Sequence, residues 1–225
     1  MGSPLPKQFM EVAGKPVLQH TLEAFEAAEA VDHVLVVGPQ KDADRVRRIA
    51  AAAGAAKLAG VVGGGVTRSE SSMAAVRFAE DRFGTECDLL IHDAARAMVT
   101  PGLIGRVAAA LDRHAAVTSA LPSRDSVIRV REDQTGEVVA DSLDRSELRR
   151  VQTPQGFHLA VIAKAYRAAA ADPAFRATDD CSVVLRYLPG VPVGVVPGEE
   201  RNLKVTDPFD LAVARSLLES GTLLE

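Results

Sequence analysis

Short aliphatic runs separated by stretches of helical period decide what this chain can fold into. Val34 to Val37, Leu58 to Val62, Leu89 to Ile91 and Val117 to Leu121 are strand-length, and between them apolar residues return every three or four positions, as in Val17, Leu18, Leu22 and Phe25. Such alternation is the mark of βαβ units, so the expected class is α/β with a mostly parallel sheet flanked by helices. Val34 to Val37 reads as a buried strand. Local punctuation agrees: Pro16 suits a first helical turn, Thr100-Pro101 reads as an N-cap followed by a first-turn proline, and Asp42 to about Ala53 looks like a helix. Beyond residue 158, a helix runs from about Leu159 to Ala171 and Thr178 caps another. A strand follows at Val193 to Val196, then a last helix opened by Asp207-Pro208 and closed by Gly221.

The rhythm breaks at Asp125. Val127 to Val130, a polar turn at Asp133-Gln134-Thr135-Gly136, and Val138-Val139 make a hairpin with few apolar neighbours in sequence. An isolated two-stranded hairpin is marginal in water, so this arm, about Asp125 to Leu143, is expected to rest on a second subunit.

Bulk properties narrow the class of partner. With 225 residues, 47% of them hydrophobic, the chain suits one large domain over residues 1–225. A net charge of −4 and a pI near 5.8 argue against nucleic acid, which requires clustered cations. The sequence has no apolar run of about 18 residues, and Met1-Gly2-Ser3-Pro4 lacks the features of a signal peptide. These points lead to the expectation of a cytoplasmic protein with small-molecule partners and no membrane. Cys87 and Cys181 make neither a disulfide framework nor a metal motif and read as packing residues.

Ligands of open parallel sheets sit beyond the carboxyl ends of the strands, so polar residues just after strands are the candidates for chemistry. Gly63-Gly64-Gly65-Val66-Thr67-Arg68-Ser69-Glu70-Ser71 joins glycines to a helix start, where backbone groups can approach an anion. His92-Asp93-Ala94-Ala95-Arg96 sets a carboxylate and a guanidinium three residues apart. Arg201 to Thr206 places Lys204 before a helix, where its charge and the helix dipole act together on a phosphate. Each also has a plainer reading, as a flexible turn, a local ion pair and a solvated lysine. Composition and spacing therefore reach an α/β domain with anion sites and do not separate an enzyme from a ligand-binding module.

The order of the motifs goes further. Pro6-Lys7-Gln8-Phe9, Gly64-Gly65 with Arg68 and Ser71, His92-Asp93-Ala94-Ala95-Arg96, Asp125-Ser126, Asp144-Arg145, Gln152-Thr153-Pro154-Gln155-Gly156-Phe157, Thr178-Asp179-Asp180 and Asn202 to Thr206 follow one another as in a single family. From Pro6 to about Leu218 the chain resembles 2-C-methyl-D-erythritol 4-phosphate cytidylyltransferases. The resemblance implies a Rossmann-like fold with a protruding hairpin arm. It also implies attack of a polyol phosphate on the α-phosphorus of CTP, with Mg2+ carried mainly on the triphosphate and no protein metal ligand assigned directly. By position, Lys7 and Lys204 resemble the catalytic lysines, with Lys204 also at the substrate phosphate. Gly64, Gly65, Arg68, Ser71 and Asp93 fall where the nucleotide binds. Asp93, Arg96, Ser126, Arg145 and Thr153 fall where the polyol phosphate binds, with Ser126 and Arg145 expected to reach a partner's site in a homodimer.

The pattern departs from the family at the start. Members ordinarily carry an apolar strand and a glycine-rich loop ending in arginine ahead of Pro-Lys-Gln, whereas six residues precede Lys7 here. The resemblance therefore implies that strand and loop are missing, through a misplaced start or a truncation. A central strand with about four buried aliphatics at about 1.5 to 3 kcal/mol each, and several ladder hydrogen bonds of ~1 kcal/mol, rivals a total stability of about 5 to 15 kcal/mol. Smaller departures are Val66, Ala97 and Ser126, where an acidic residue, proline and threonine are common. A related branch that makes CDP-ribitol from D-ribitol 5-phosphate shares most of the motifs and is the alternative activity. An inactive nucleotide-binding or dimerising remnant is the alternative of another class.

Overall fold

The computed structural model describes residues 6–172 and 174–219. A hairpin of β1 (Glu11–Val12) and β2 (Lys15–Pro16) comes first. Its turn, Ala13-Gly14, has both residues at positive φ, 49° and 76°, the backbone that matches the twist of an antiparallel pair. The expected alternation follows: α1 (Val17–Ala27), β3 (Val34–Gly38), α2 (Ala43–Ala52), β4 (Leu58–Gly63), α3 (Arg68–Phe83), β5 (Asp88–Ile91), α4 (Pro101–Ala110) and β6 (Ala116–Pro122). The arm is β7 (Ile128–Asp133) and β8 (Gly136–Ser142). After it come β9 (Arg149–His158), α5 (Leu159–Ala169), α6 (Asp180–Tyr187), β10 (Val193–Pro197) and α7 (Pro208–Glu219). Gly221, read as the end of the last helix, lies outside the described residues.

The main sheet has the order β10-β6-β9-β5. β10 pairs parallel with β6, and β9 runs antiparallel to both β6 and β5. β5, β6 and β10 therefore share one direction, as expected, and β9 is reversed among them. Sequence pattern did not reveal β9 as a strand, because it carries a proline and three buried polar side chains. The ladder shows how they are accommodated. Thr118 pairs with Gln155 while Ser119 pairs with Gln152, so Thr153 and Pro154 bulge out of register. A proline that lacks an N–H fits such a bulge without losing a ladder bond.

Helices cover both faces. On β6 the alternation of side chains sends Ala116 into a cluster with α3, α5 and α6, and Val117 into one with α1 and α4. Thr100 accepts from the Leu103 N–H and Pro101 opens α4 as read from sequence, while the cap of α6 is Asp179, not Thr178. Asp179 succeeds because its carboxylate reaches the Ser182 N–H three residues on, closing a capping box. Cys181 packs in the core, and Cys87 is half-buried.

The pair β3–β4 forms its own parallel two-stranded sheet, and β3 and β5 face each other across a cleft of about 640 Å3. Consecutive residues of both strands, Val34 to Val37 and Asp88 to Ile91, line it, so their backbone edges face the cleft and not merely alternate side chains. Leu18, Leu22 and Phe25 of α1 and Ala75 and Phe78 of α3 complete its apolar walls. Val34 to Val37 is consequently half-buried and not the buried strand expected from its composition. Among the described residues nothing pairs along these two edges, and the space between them has room for a further strand. Amide exchange along β3 should therefore alternate, with groups bonded to β4 protected and those turned to the cleft exchanging far faster than amides of β6. Uniform protection in an NMR exchange series would show that the edge is covered.

Candidate active site

Asp93 stands just past the carboxyl end of β5, and three cations from three separate segments converge on it. Lys204 Nζ lies 2.9 Å from its Oδ2, Arg96 Nε 3.8 Å from the same oxygen, and Arg68 Nε 3.9 Å from Oδ1. Burial works against the Asp93 charge, but the Lys204 hydrogen bond, then Arg68 and Arg96, more than offset it and hold the carboxyl below its usual range. Only the Lys204 contact is a hydrogen bond; the other two are ion pairs at longer range.

Local structure explains how each cation arrives. Arg68 is the first residue of α3, whose cap Thr67 forms a capping box with Glu70. Gly65 is required there, since a Cβ on it would lie 2.1 Å from Glu70 Cβ; one on Gly64 would lie 2.8 Å from Ser71 Oγ. Ser71 in turn donates to the Thr67 carbonyl at 3.1 Å. Arg96 is buried and donates to the Asn202 carbonyl at 2.7 Å, tying the loop after β5 to the segment that carries Lys204. That segment is fixed again where Val205 N–H donates to the Ala95 carbonyl. Lys7 heads a 3-10 turn, Lys7–Phe9, and Asp210 closes the turn after Lys204 by accepting from the Thr206 N–H.

Thr153, at the β9 bulge, is buried, and its hydroxyl accepts from the Asp93 N–H at 3.0 Å and meets His92 Nδ1 at 3.1 Å. In this state it braces Asp93 from below. Ser126 and Arg145 are exposed on the arm, where Arg145 donates to the Arg124 carbonyl and neither contacts the Asp93 cluster of its own chain. One chain thus brings together Gly64, Gly65, Arg68, Ser71, Asp93, Arg96, Thr153 and Lys204, whereas Ser126 and Arg145 stand apart and, among the described residues, Lys7 makes no hydrogen bond or ion pair with the Asp93 cluster.

Sequence reasoning quoted Gln152, Gln155 and Asn202 only as motif letters, and the structure gives each a task. Gln152 bonds the Glu199 carbonyl at 2.9 Å and the Glu199 N–H at 3.0 Å, and Asn202 donates to the Thr153 carbonyl at 2.8 Å. Gln155 accepts from the Asp180 and Cys181 N–H groups and donates to Thr118 and Asp179. Polar residues inside an otherwise buried strand were the available signal, because such groups are retained only with partners.

A sheet whose strand ends gather three cations around one carboxylate beside a glycine turn defines a site for phosphorylated ligands. The family model for 2-C-methyl-D-erythritol 4-phosphate cytidylyltransferase matches residues 1–220. The chain is 47% identical over 222 residues, 98% of it and 89% of the relative, to the enzyme of that name from Thermobifida fusca. It is 34% identical, over 96% of it and 91% of the relative, to a ribitol-5-phosphate cytidylyltransferase from Lactiplantibacillus plantarum. It spans 54% and 46% of two bifunctional relatives. A crystal structure of 4-diphosphocytidyl-2C-methyl-D-erythritol synthase from Anaerococcus prevotii superposes with a TM-score of 0.85 at 28% identity, covering 97% of this chain and 92% of the other. The chain belongs to the 2-C-methyl-D-erythritol 4-phosphate cytidylyltransferase family.

His92 reports on the packing of this site. Burial pushes its pKa down from 6.5 to about 4, so the folded protein holds the ring neutral. The stability this implies is full above pH 6.5 and falls as the pH drops from 6.5 towards 4, where the unfolded chain takes a proton that the folded one refuses. The loss should reach about 3 kcal/mol. Asp93, with its pKa depressed, acts in a lower window, below about 3.8. Urea midpoints from pH 7.5 to 4 should slope steeply in the native protein and less in His92→Asn; equal slopes would assign the dependence to other groups.

Proposed function

We propose that the protein transfers CMP from CTP to 2-C-methyl-D-erythritol 4-phosphate, releasing pyrophosphate, as a cytoplasmic homodimeric enzyme. The observation that carries this reading is the convergence of Lys204, Arg68 and Arg96 on Asp93 at the strand ends. In the transfer, an oxygen of the polyol phosphate bonds to the α-phosphorus of CTP as the bond to the bridging oxygen breaks, and pyrophosphate leaves with that electron pair. Such chemistry asks the protein for alignment and charge neutralisation and needs no covalent nucleophile. Lys204 and Lys7 neutralise the reacting phosphates, Arg68, Ser71 and the Gly64-Gly65 backbone hold the nucleotide, and Arg96 steadies the Lys204 segment.

Mg2+ fits the donor set in one way. Among the described residues no group of three or more His, Cys, Asp or Glu side chains could hold a metal ion, and Asp93 offers the single carboxylate of the cluster. An ion bound chiefly by substrate phosphates with one protein carboxylate matches the habits of Mg2+. When bound, it would neutralise triphosphate charge and favour pyrophosphate departure.

Pyrophosphate release should require CTP, Mg2+ and the polyol phosphate together. Comparing 2-C-methyl-D-erythritol 4-phosphate with D-ribitol 5-phosphate decides the acceptor, since a relative of the second activity is 34% identical. Equal turnover with ATP would overturn the cytidylyl reading, and CTP binding without turnover in the folded protein would leave the inactive remnant. Lys204→Ala should lower kcat by at least about 100-fold with the fold intact, the scale of losing one electrostatic stabiliser; an unchanged kcat would return Lys204 to the status of a surface lysine.

The arm supports the dimer. Among the described residues β7 and β8 pair with no other strand, and Val127, Ile128, Val130 and Val139 are exposed on them and at their base. A partner covering residues 125–143 would bury these side chains and bring Ser126 and Arg145 to its own Asp93 cluster. Arg145→Ala should then raise KM for the polyol phosphate with KM for CTP little changed. Mixing Arg145→Ala with Lys204→Ala subunits should restore activity, because some mixed dimers hold one intact site. A monomer by sedimentation, or no rescue after verified subunit exchange, would show that the arm does not serve a neighbour.

A further inference from the structure

The Thr178-Asp179-Asp180 motif has no part in the reading above, yet Asp180 is fully buried and touches the site through one residue. Its Oδ2 lies 2.5 Å from Arg68 Nη2, and its Oδ1 accepts from the Tyr166 hydroxyl, also at 2.5 Å. Behind it, Gln155 Oε1 takes the backbone N–H groups of Asp180 and Cys181, which fixes the start of α6 against β9. Arg68 is thus held through Nη2 to Asp180 and through Nε to Asp93, while Nη1 is buried without a hydrogen-bond partner.

We propose that Asp180, with Tyr166 and Gln155 behind it, is a positioning residue for nucleotide binding, acting through Arg68. An arginine side chain has many rotamers, and freezing it before the ligand arrives removes that cost from binding. Asp180 reaches only the far side of the guanidinium and leaves its side chain one-third exposed at the cleft. Stability alone is a weak reason for this arrangement, since a buried ion pair is often no more stabilising than apolar residues of the same volume. The placement makes sense beside the glycine turn: Arg68 directly follows the Thr67 cap, and Asp93, its other contact, is the carboxylate on which Lys204 closes. A polyphosphate ester therefore meets a cation already aimed by a group it never touches.

This inference rests on the proposed cytidylyl transfer for its kinetic test and on the geometry alone for its second test. The first compares Arg68→Gln, Asp180→Asn, the double variant and Tyr166→Phe for CTP affinity by titration calorimetry with Mg2+, and for both KM values. Asp180→Asn should weaken CTP binding about 10- to 100-fold, the range of one charge-assisted hydrogen bond, with KM for the polyol phosphate little changed. The double variant should be no worse than Arg68→Gln alone, because one side chain acts through the other. Tyr166→Phe, which keeps the charge and loses one hydrogen bond, should show a smaller loss of the same kind, and it decides the matter if Asp180→Asn does not fold. Losses that multiply, or equal losses for both substrates, would overturn the proposal. The second test reads the guanidinium by 15N NMR without ligand: resolved, slowly rotating Arg68 signals in the native chain should average in Asp180→Asn. Failure of the native chain to bind CTP would count against the functional reading, whereas unchanged Arg68 signals in Asp180→Asn would count against the positioning role.

Discussion

The Asp93 carboxylate is the constraint on which the rest of the site depends. It lies at the end of a strand, largely removed from water, and an uncompensated charge there would cost several kcal/mol. Lys204 supplies a direct hydrogen bond, and Arg68 and Arg96 supply charge from the two flanks. The dependence runs both ways. Three cations held so close would repel one another strongly without the carboxylate between them, so Asp93 permits a density of positive charge that phosphate chemistry requires. The segments that bear these groups are far apart in sequence, and their meeting is the event that turns a layered α/β scaffold into a site.

β9 is the frame for that meeting. Its bulge turns Thr153 towards Asp93, and the two glutamines on either side grip different loops: Gln152 holds Glu199 and Asn202, and Gln155 holds the start of α6. A buried amide offers a donor and an acceptor together, so each glutamine can satisfy a loop that has both an N–H and a carbonyl to place. The polar run Gln-Thr-Pro-Gln thus sits in the middle of a sheet because it bonds the loops around the site, while Phe157 and Gly156 next to it pack as ordinary core. Gly156 leaves little space for a side chain, since a Cβ would lie 3.0 Å from side-chain carbons of both Leu90 and Val107 and would make them shift.

Helices were legible in the sequence because period and caps are local properties: α4 and α5 stand where Thr100-Pro101 and Leu159 place them, and α1 begins one residue later than read, since Pro16 closes β2 and precedes the helix instead of sitting in its first turn. What was not legible depended on partners. β9 escaped because its propensities are those of a loop and only its neighbours make it a strand. The helix cap moved from Thr178 to Asp179 because two adjacent polar residues compete, and the choice falls to the one whose side chain reaches the Ser182 N–H. Val34 to Val37 has the composition of a buried strand, yet burial requires a neighbour on each edge, and β3 is paired on one edge only. Of the site, the motif letters announced Asp93, Arg96, Arg68 and Lys204; that Asp180 stands behind Arg68 could not be read, because the residues are 112 positions apart.

The cleft and the arm pose the same physical question in opposite forms. In the cleft, backbone edges and apolar side chains of β3 and β5 enclose space, so the unmet requirement is concave and asks for an extended segment whose own N–H and C=O groups can complete two ladders. In the arm, a twisted pair of strands carries aliphatic side chains outward, so the requirement is convex and asks for a surface. The shapes do not fit one another: the arm already uses its inward edges for its own ladder, and its strands read Val and Ile alternating with Arg, Glu and Asp, whereas a strand enclosed between α1 and α3 would have both faces apolar. Burying charges such as Arg129 and Arg131 in that cleft would cost more than the aliphatics return. The two features are therefore satisfied separately, the arm by a surface that leaves its charged side in water and the stretch of the cleft between α1 and α3 by an uncharged segment, while Arg68, His92 and Asp93 line the part of the cleft that belongs to the site.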